Sequence, residues 1–87
     1  MKLTFSETGW KDYVYWQAQD RKTLKRINRL LDEIGRSGND GIGKPEPLKG
    51  DLSGFFSRRI DEKNRLVYQT KNGIVEVIQC RGHYGDK

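Results

Sequence analysis

FFSRRIDEKNRLVYQTKNGIVEVIQC, residues 55–80, is the stretch that decides the fold. Within it Phe55–Ile60, Arg65–Thr70 and Ile74–Cys80 are rich in β-branched and aromatic residues, a composition that predicts three strands. Asn72-Gly73 separates the last two strands, and both residues tolerate the positive φ that a two-residue hairpin turn demands. Glu62-Lys63-Asn64 predicts a three-residue turn that ends on a left-handed Asn64. If Asn72-Gly73 closes the hairpin, Lys71 pairs with Ile74, and Arg65 lies opposite Cys80 on a face shared with Val67 and Ile78. A three-residue turn before Arg65 pairs Arg59 with Val67 and adds it to that face. The other face then carries Ile60, Leu66, Tyr68, Val75 and Val77, an apolar set suited to lying beneath helices. Strict alternation puts His83 on the face away from the arginines unless a bulge, or a bend at Gly82, turns the tail.

Upstream the hydrophobic period changes from two to about 3.6. Leu3 and Phe5 alternate with polar neighbours and predict a short opening strand. Ser6 offers an N-cap for a helix over Glu7–Gln19, whose apolar set is Trp10, Tyr13, Val14, Tyr15 and Trp16; Gly9 weakens its first turn. Asp20 caps a second helix in which Leu24, Ile27, Leu31 and Ile34 recur every three or four residues, while Lys25, Arg26, Arg29 and Asp32 face outward. Gly35, Gly38 and Asn39 mark its end. The order is strand, helix, helix, meander. It implies an α+β fold: a short N-terminal strand and two helices packed on one face of a C-terminal antiparallel sheet. No repeat or low-complexity segment interrupts it, and 87 residues are too few for two cores, so residues 1–87 read as one domain.

Hydrophobic residues make up 33% of the chain, yet two Trp, four Tyr and three Phe supply large buried areas. Lys and Arg total 17 against 12 Asp and Glu, a net charge of +5. Such a balance suits an anionic partner and equally suits simple solubility, so the positions of the charges must decide. Cys80 is the one cysteine; a single thiol excludes an intrachain disulfide and a zinc cluster, and fits a reducing cytoplasm. No segment approaches the roughly 20 apolar residues of a membrane span, so a soluble chain without a membrane partner is expected.

Between Gly41 and Gly54 the composition turns glycine-rich, and Pro45 and Pro47 flank Glu46, which restricts the backbone to an extended presentation of one carboxylate. Metal-free RNA cleavage needs a base for the ribose 2′-hydroxyl, an acid for the departing 5′-oxygen and cations for the phosphate. Glu46, His83 and the Arg59/Arg65 pair are the residue types required. Each alone has an ordinary reading too: a solvated loop glutamate, a surface histidine, strand-edge arginines that deter aggregation.

The run Gly43-Lys44-Pro45-Glu46-Pro47-Leu48-Lys49, then Leu52–Ile60, Arg65-Leu66-Val67-Tyr68 and the closing Cys80-Arg81-Gly82-His83-Tyr84 resembles the YoeB/Txe family of toxins. The opening Met1-Lys2-Leu3 and the cluster Tyr13-Val14-Tyr15-Trp16 are similar as well. The resemblance implies a RelE-like fold and an mRNA interferase that cleaves messenger RNA in the ribosomal A site without a cofactor. Carried over by position, Glu46 is the general base and His83 the general acid. Arg65 stabilises the transition-state phosphate, Lys49 and Arg59 add positive charge, and Tyr84 helps to place the scissile nucleotide. The resemblance further implies a YefM-like antitoxin with a disordered acidic segment, homodimers, and binding of operator DNA through the toxin–antitoxin complex. Phe56 stands where Trp is expected in close relatives, Gly82 replaces a bulky aromatic, and Gly85-Asp86-Lys87 extends past the His-Tyr pair. Two other readings need none of the acid–base residues: a related-fold toxin that binds a protein such as gyrase, and a plain RNA-binding module.

Overall fold

The computed structural model describes residues 2–38 and 40–82. Its elements run β1 (Lys2–Phe5), α1 (Glu7–Gln19), α2 (Arg21–Ser37), β2 (Glu46–Pro47), a 3-10 turn (Gly50–Leu52), β3 (Phe56–Arg59), β4 (Arg65–Lys71) and β5 (Ile74–Gln79). The strands form one sheet in the order β1-β5-β4-β3-β2. β3 to β5 form the expected antiparallel meander, Glu46–Pro47 of the loop adds to it as the antiparallel edge strand β2, and β1 joins the far edge parallel to β5, so the sheet is mixed. A strand that returns parallel to its partner needs a long crossover. The two helices and the meander between β1 and β5 provide it.

The caps fall where side-chain chemistry puts them. Ser6 accepts from the Gly9 N–H, and Asp20 accepts from the N–H groups of Lys22 and Thr23, satisfying helix donors that have no partner within the helix. α2 continues through Gly35 to Ser37, and Gly38 at φ 64 ends it with its N–H on the Ile34 carbonyl. Gly35 is therefore inside the helix; Asn39 lies outside the described residues. Asn72 (φ 53) and Gly73 (φ 77) form the hairpin turn, with Lys71 opposite Ile74.

The β3–β4 connection differs from expectation. Arg59 pairs with Arg65, and Ser57 rather than Arg59 pairs with Val67. Asn64 is not left-handed. Asp61 takes over the turn by accepting from Lys63 N–H, Asn64 N–H and the Asn64 amide, so the chain needs no positive φ there. Partial burial pushes the Asp61 carboxyl up, and those three hydrogen bonds outweigh it, holding the group below the usual carboxylate range.

The core lies between the helices and one sheet face. Ile27, Leu30 and Ile34 of α2 pack with Ile60, Leu66, Tyr68, Val75 and Val77, the apolar set read from the strand alternation, joined by Trp16 and Cys80. α1 departs from its expected pattern. Its buried residues are Gly9, Asp12 and Trp16, whereas Trp10 and Val14 stay 51% and 41% exposed. A Cβ on Gly9 would collide with the Val77 carbonyl, so the missing side chain lets α1 lie directly on β5. Gly9 is thus a packing requirement. Gly9→Ala should cost about 1–3 kcal/mol of stability from overpacking against backbone, read as a lower urea midpoint at unchanged slope.

Candidate functional site

The face of the sheet turned away from the helices collects the polar residues. Pro45 and Pro47 leave Glu46 extended, and it becomes half of a short edge strand opposite Ser57. Ser57 in turn pairs with Val67, and Val67 with Gln79. Glu46, Ser57, Val67 and Gln79 therefore form one row across four strands. In the neighbouring row Arg59 stands opposite Arg65.

Arg65 joins these parts. Its Nε donates to the fully buried Ser57 Oγ at 2.6 Å, and its Nη2 lies 3.3 Å from Glu46 Oε1. Its side chain is 15% exposed against 50% for Glu46, so the guanidinium is set into the face and the carboxylate projects from its rim. Two arginines directly opposite each other repel at the Cβ separation of about 5 Å usual for cross-strand pairs, an arrangement unfavourable for stability alone and suited to receiving an anion. Lys49 is exposed at the start of the 3-10 turn after β2, and among the described residues no ion pair ties it to this group.

The register of β5 changes at this row. From Lys71↔Ile74 to Tyr68↔Val77 the pairing follows the hairpin, but Val67 then meets Gln79, with Ile78 the extra residue of a bulge. This overturns the expected Arg65–Cys80 pairing and the shared face with Ile78. Cys80 instead turns beneath the helices, fully buried, where burial and the Asp12 charge push its thiol up to about 12 and leave it protonated at neutral pH. After the bulge the chain comes back to β4, and the Arg65 N–H donates to the Gly82 carbonyl at 3.0 Å. Gly82 itself bends at φ 80. Both turning devices weighed for the tail are thus present. His83 and Tyr84 follow Gly82 in sequence and lie outside the described residues.

Arg58 carries a role that strand alternation did not expose. Its guanidinium is fully buried on the helix side and donates to Tyr68 Oη, to the Ile42 carbonyl and to the Gly38 and Asp40 carbonyls. It also lies 5.7 Å from the centre of the Tyr68 ring. One side chain thereby holds the loop that leads to Glu46. The adjacent Arg59 N–H donates to the Gly43 carbonyl at 2.7 Å and fixes the next stretch. A groove of about 530 Å³ lies elsewhere, between β1 and α2, lined in part by Leu3, Phe5, Tyr13 and Leu31, and contains none of the expected site residues.

The mixed sheet, the two helices on one face and the carboxylate–arginine row on the other define a RelE-like toxin domain. The family model described as a YoeB-like toxin of bacterial type II toxin–antitoxin system matches residues 5–84. Toxin YoeB of Streptomyces coelicolor is 55% identical over 84 residues, covering 97% of this chain and 100% of that protein. The chain also superposes on YoeB in a YoeB–YefM complex from Staphylococcus aureus, with TM-score 0.91 and 44% identity over 97% of this chain and 98% of that one. A YoeB dimer from the same organism gives 0.90 and 45% over the same shares. This chain belongs to the YoeB-like toxin family.

Neighbours in sequence, Arg58 and Arg59 should behave oppositely on truncation. Arg58→Ala removes a buried guanidinium and strands its acceptors, for a loss of about 3 kcal/mol or more. Arg59→Ala, at an exposed position, should stay within about 0.5 kcal/mol of wild type. Urea denaturation of both variants checks the contrast.

Proposed function

We propose that this chain is a ribosome-dependent messenger-RNA endonuclease that cleaves the codon in the ribosomal A site and so arrests translation. The observation that carries the reading is the Glu46 carboxylate resting 3.3 Å from an inset Arg65, with Arg59 beside it, on a face free of helices. Membership of the toxin family supports it.

In this reading Glu46 removes the proton from the ribose 2′-hydroxyl, and that oxygen attacks the adjacent phosphorus. The bond from phosphorus to the 5′-oxygen breaks as His83 gives that oxygen a proton. The products are a 2′,3′-cyclic phosphate and a 5′-hydroxyl, with no water consumed and no cofactor required by the balance. Arg65 meets the charge that grows on the non-bridging oxygens. Because Ser57 already orients its Nε, little reorganisation accompanies the reaction, which is where electrostatic catalysis gains most. Lys49 and Arg59 add positive potential for the flanking phosphates, and Tyr84 stacks on or hydrogen bonds to the scissile nucleotide.

The partners follow from the same reading. YoeB of S. aureus is solved both with YefM and as a dimer. We assign to this chain a YefM-like antitoxin whose acidic segment is drawn by the +5 charge, a homodimeric state, and operator binding through the antitoxin complex. It acts as one domain, residues 1–87, in the cytoplasm with the ribosomes. No helix of the described residues is long and apolar enough to cross a membrane.

Toeprinting on translating ribosomes tests the nuclease assignment. Glu46→Ala and His83→Gln should each lower the cleavage rate by roughly 10²-fold or more, and the wild-type rate should fall at both pH extremes because the base must be deprotonated while the acid is protonated. Undiminished cleavage by both variants would remove the assignment. Gyrase inhibition without cleavage would move the target to a protein.

A further inference from the structure

We propose that Asp12 and Trp16 of α1, with Asn64 of the β3–β4 turn, are positioning residues that hold Cys80–Gly82 as a fixed stem for His83. The proposal rests on the nuclease reading and extends it to side chains that never touch RNA.

Past the bulge β5 ends at Gln79, and the peptide groups that follow find partners outside the regular ladder. The Cys80 N–H donates to Asp12 Oδ2 at 3.0 Å, and the Cys80 carbonyl accepts from Trp16 Nε1 at 2.8 Å. Two residues on, the Gly82 N–H donates to Asn64 Oδ1 at 2.8 Å, and the Gly82 carbonyl accepts from the Arg65 N–H at 3.0 Å. Between them the Arg81 guanidinium lies 3.7 Å from the centre of the Tyr15 ring. Three side chains from two elements thus act on the backbone of two residues, directly before the proposed acid.

Burial makes the first pair informative. Asp12 is 8% exposed and Trp16 likewise, one helical turn apart on the same face of α1. A buried carboxylate is costly unless it is well bonded, and a single peptide N–H is satisfied as well by a neutral acceptor. What a carboxylate and an indole N–H add together is direction: donor and acceptor of one residue are gripped from one rigid helix. Asn64 repeats the grip from the other side, itself held by Asp61 through its amide. A proton donor must sit within hydrogen-bond reach of the leaving oxygen, and misplacement by about 1 Å costs on the order of 10²-fold in rate. The stem fixes, before substrate arrives, the backbone of Cys80–Gly82 that directly precedes the donor in sequence.

Cleavage by the full-length toxin on programmed ribosomes is measured for Asp12→Ala, Asp12→Asn and Asn64→Ala, with wild type alongside. Asp12→Ala should lose about tenfold or more in kcat with KM within about threefold, the split expected when an interaction is felt in the transition state alone. Asp12→Asn keeps an acceptor of the same shape and should stay within about threefold of wild type. Asn64→Ala, at a turn outside the core, should show the same split, and it carries the test should Asp12→Ala fail to fold. Amide hydrogen exchange at Cys80 should accelerate in Asp12→Ala and remain slow in Asp12→Asn. The proposal is overturned by wild-type kcat in Asp12→Ala and Asn64→Ala, or by an Asp12→Asn loss as large as that of Asp12→Ala. A silent wild type would instead remove the nuclease reading and the catalytic role of the stem with it. An active wild type beside fully active variants removes the stem alone.

Discussion

Arg65 is the residue on which the rest of the arrangement depends. Its Nε reaches Ser57 on β3, its Nη2 reaches Glu46 on β2, and its backbone N–H holds Gly82 where the chain leaves β5. Three other segments of the chain meet on one guanidinium and its peptide. Arginine suits the post because its planar fork offers several donors in fixed directions and stays charged at any physiological pH. A lysine there would supply the charge without orientation on two partners at once.

That convergence needs the sheet to be irregular in one place. Perfect alternation along β5 would carry Cys80 to the arginine face. The bulge at Ile78 reverses this, so Gln79 completes the row of Glu46, Ser57 and Val67, and Cys80 goes into the core. The helices enforce the exchange. Gly9 brings α1 onto the Val77 carbonyl, and Asp12 and Trp16 then have the backbone of Cys80 within reach. A bulge beside a functional row is a common means of re-aiming side chains.

Much of this was legible in residue order. Caps at Ser6 and Asp20, the Asn72-Gly73 turn, the extended Glu46 between prolines and the apolar face of the meander all follow from local chemistry, and each is found in the structure. The resemblance pointed to Glu46, Arg59 and Arg65, and the fold brings those three together. What the sequence did not disclose depends on contacts between distant elements. Parallel addition of β1, the bulge and the true partner of Arg59 are choices of register, which several pairings satisfy equally from pattern alone. Nothing in the residue order marks Arg58 and Asp12 as buried, yet both are, because carbonyls and a peptide N–H from distant segments satisfy them. Trp10 and Val14 read as core and remain exposed, since Gly9, Asp12 and Trp16 mark the inner face of α1.

The proposed cleavage begins with attack by a ribose 2′-hydroxyl, promoted by a carboxylate beside an inset arginine. Replacing that hydroxyl with hydrogen at a single codon nucleotide of a ribosome-bound message tests it without altering the protein. Wild-type toxin should no longer cut after the 2′-deoxy nucleotide while still cutting the matched all-ribose message to a 2′,3′-cyclic phosphate end. Cleavage of both messages at equal rate, leaving a 5′-phosphate, would contradict it.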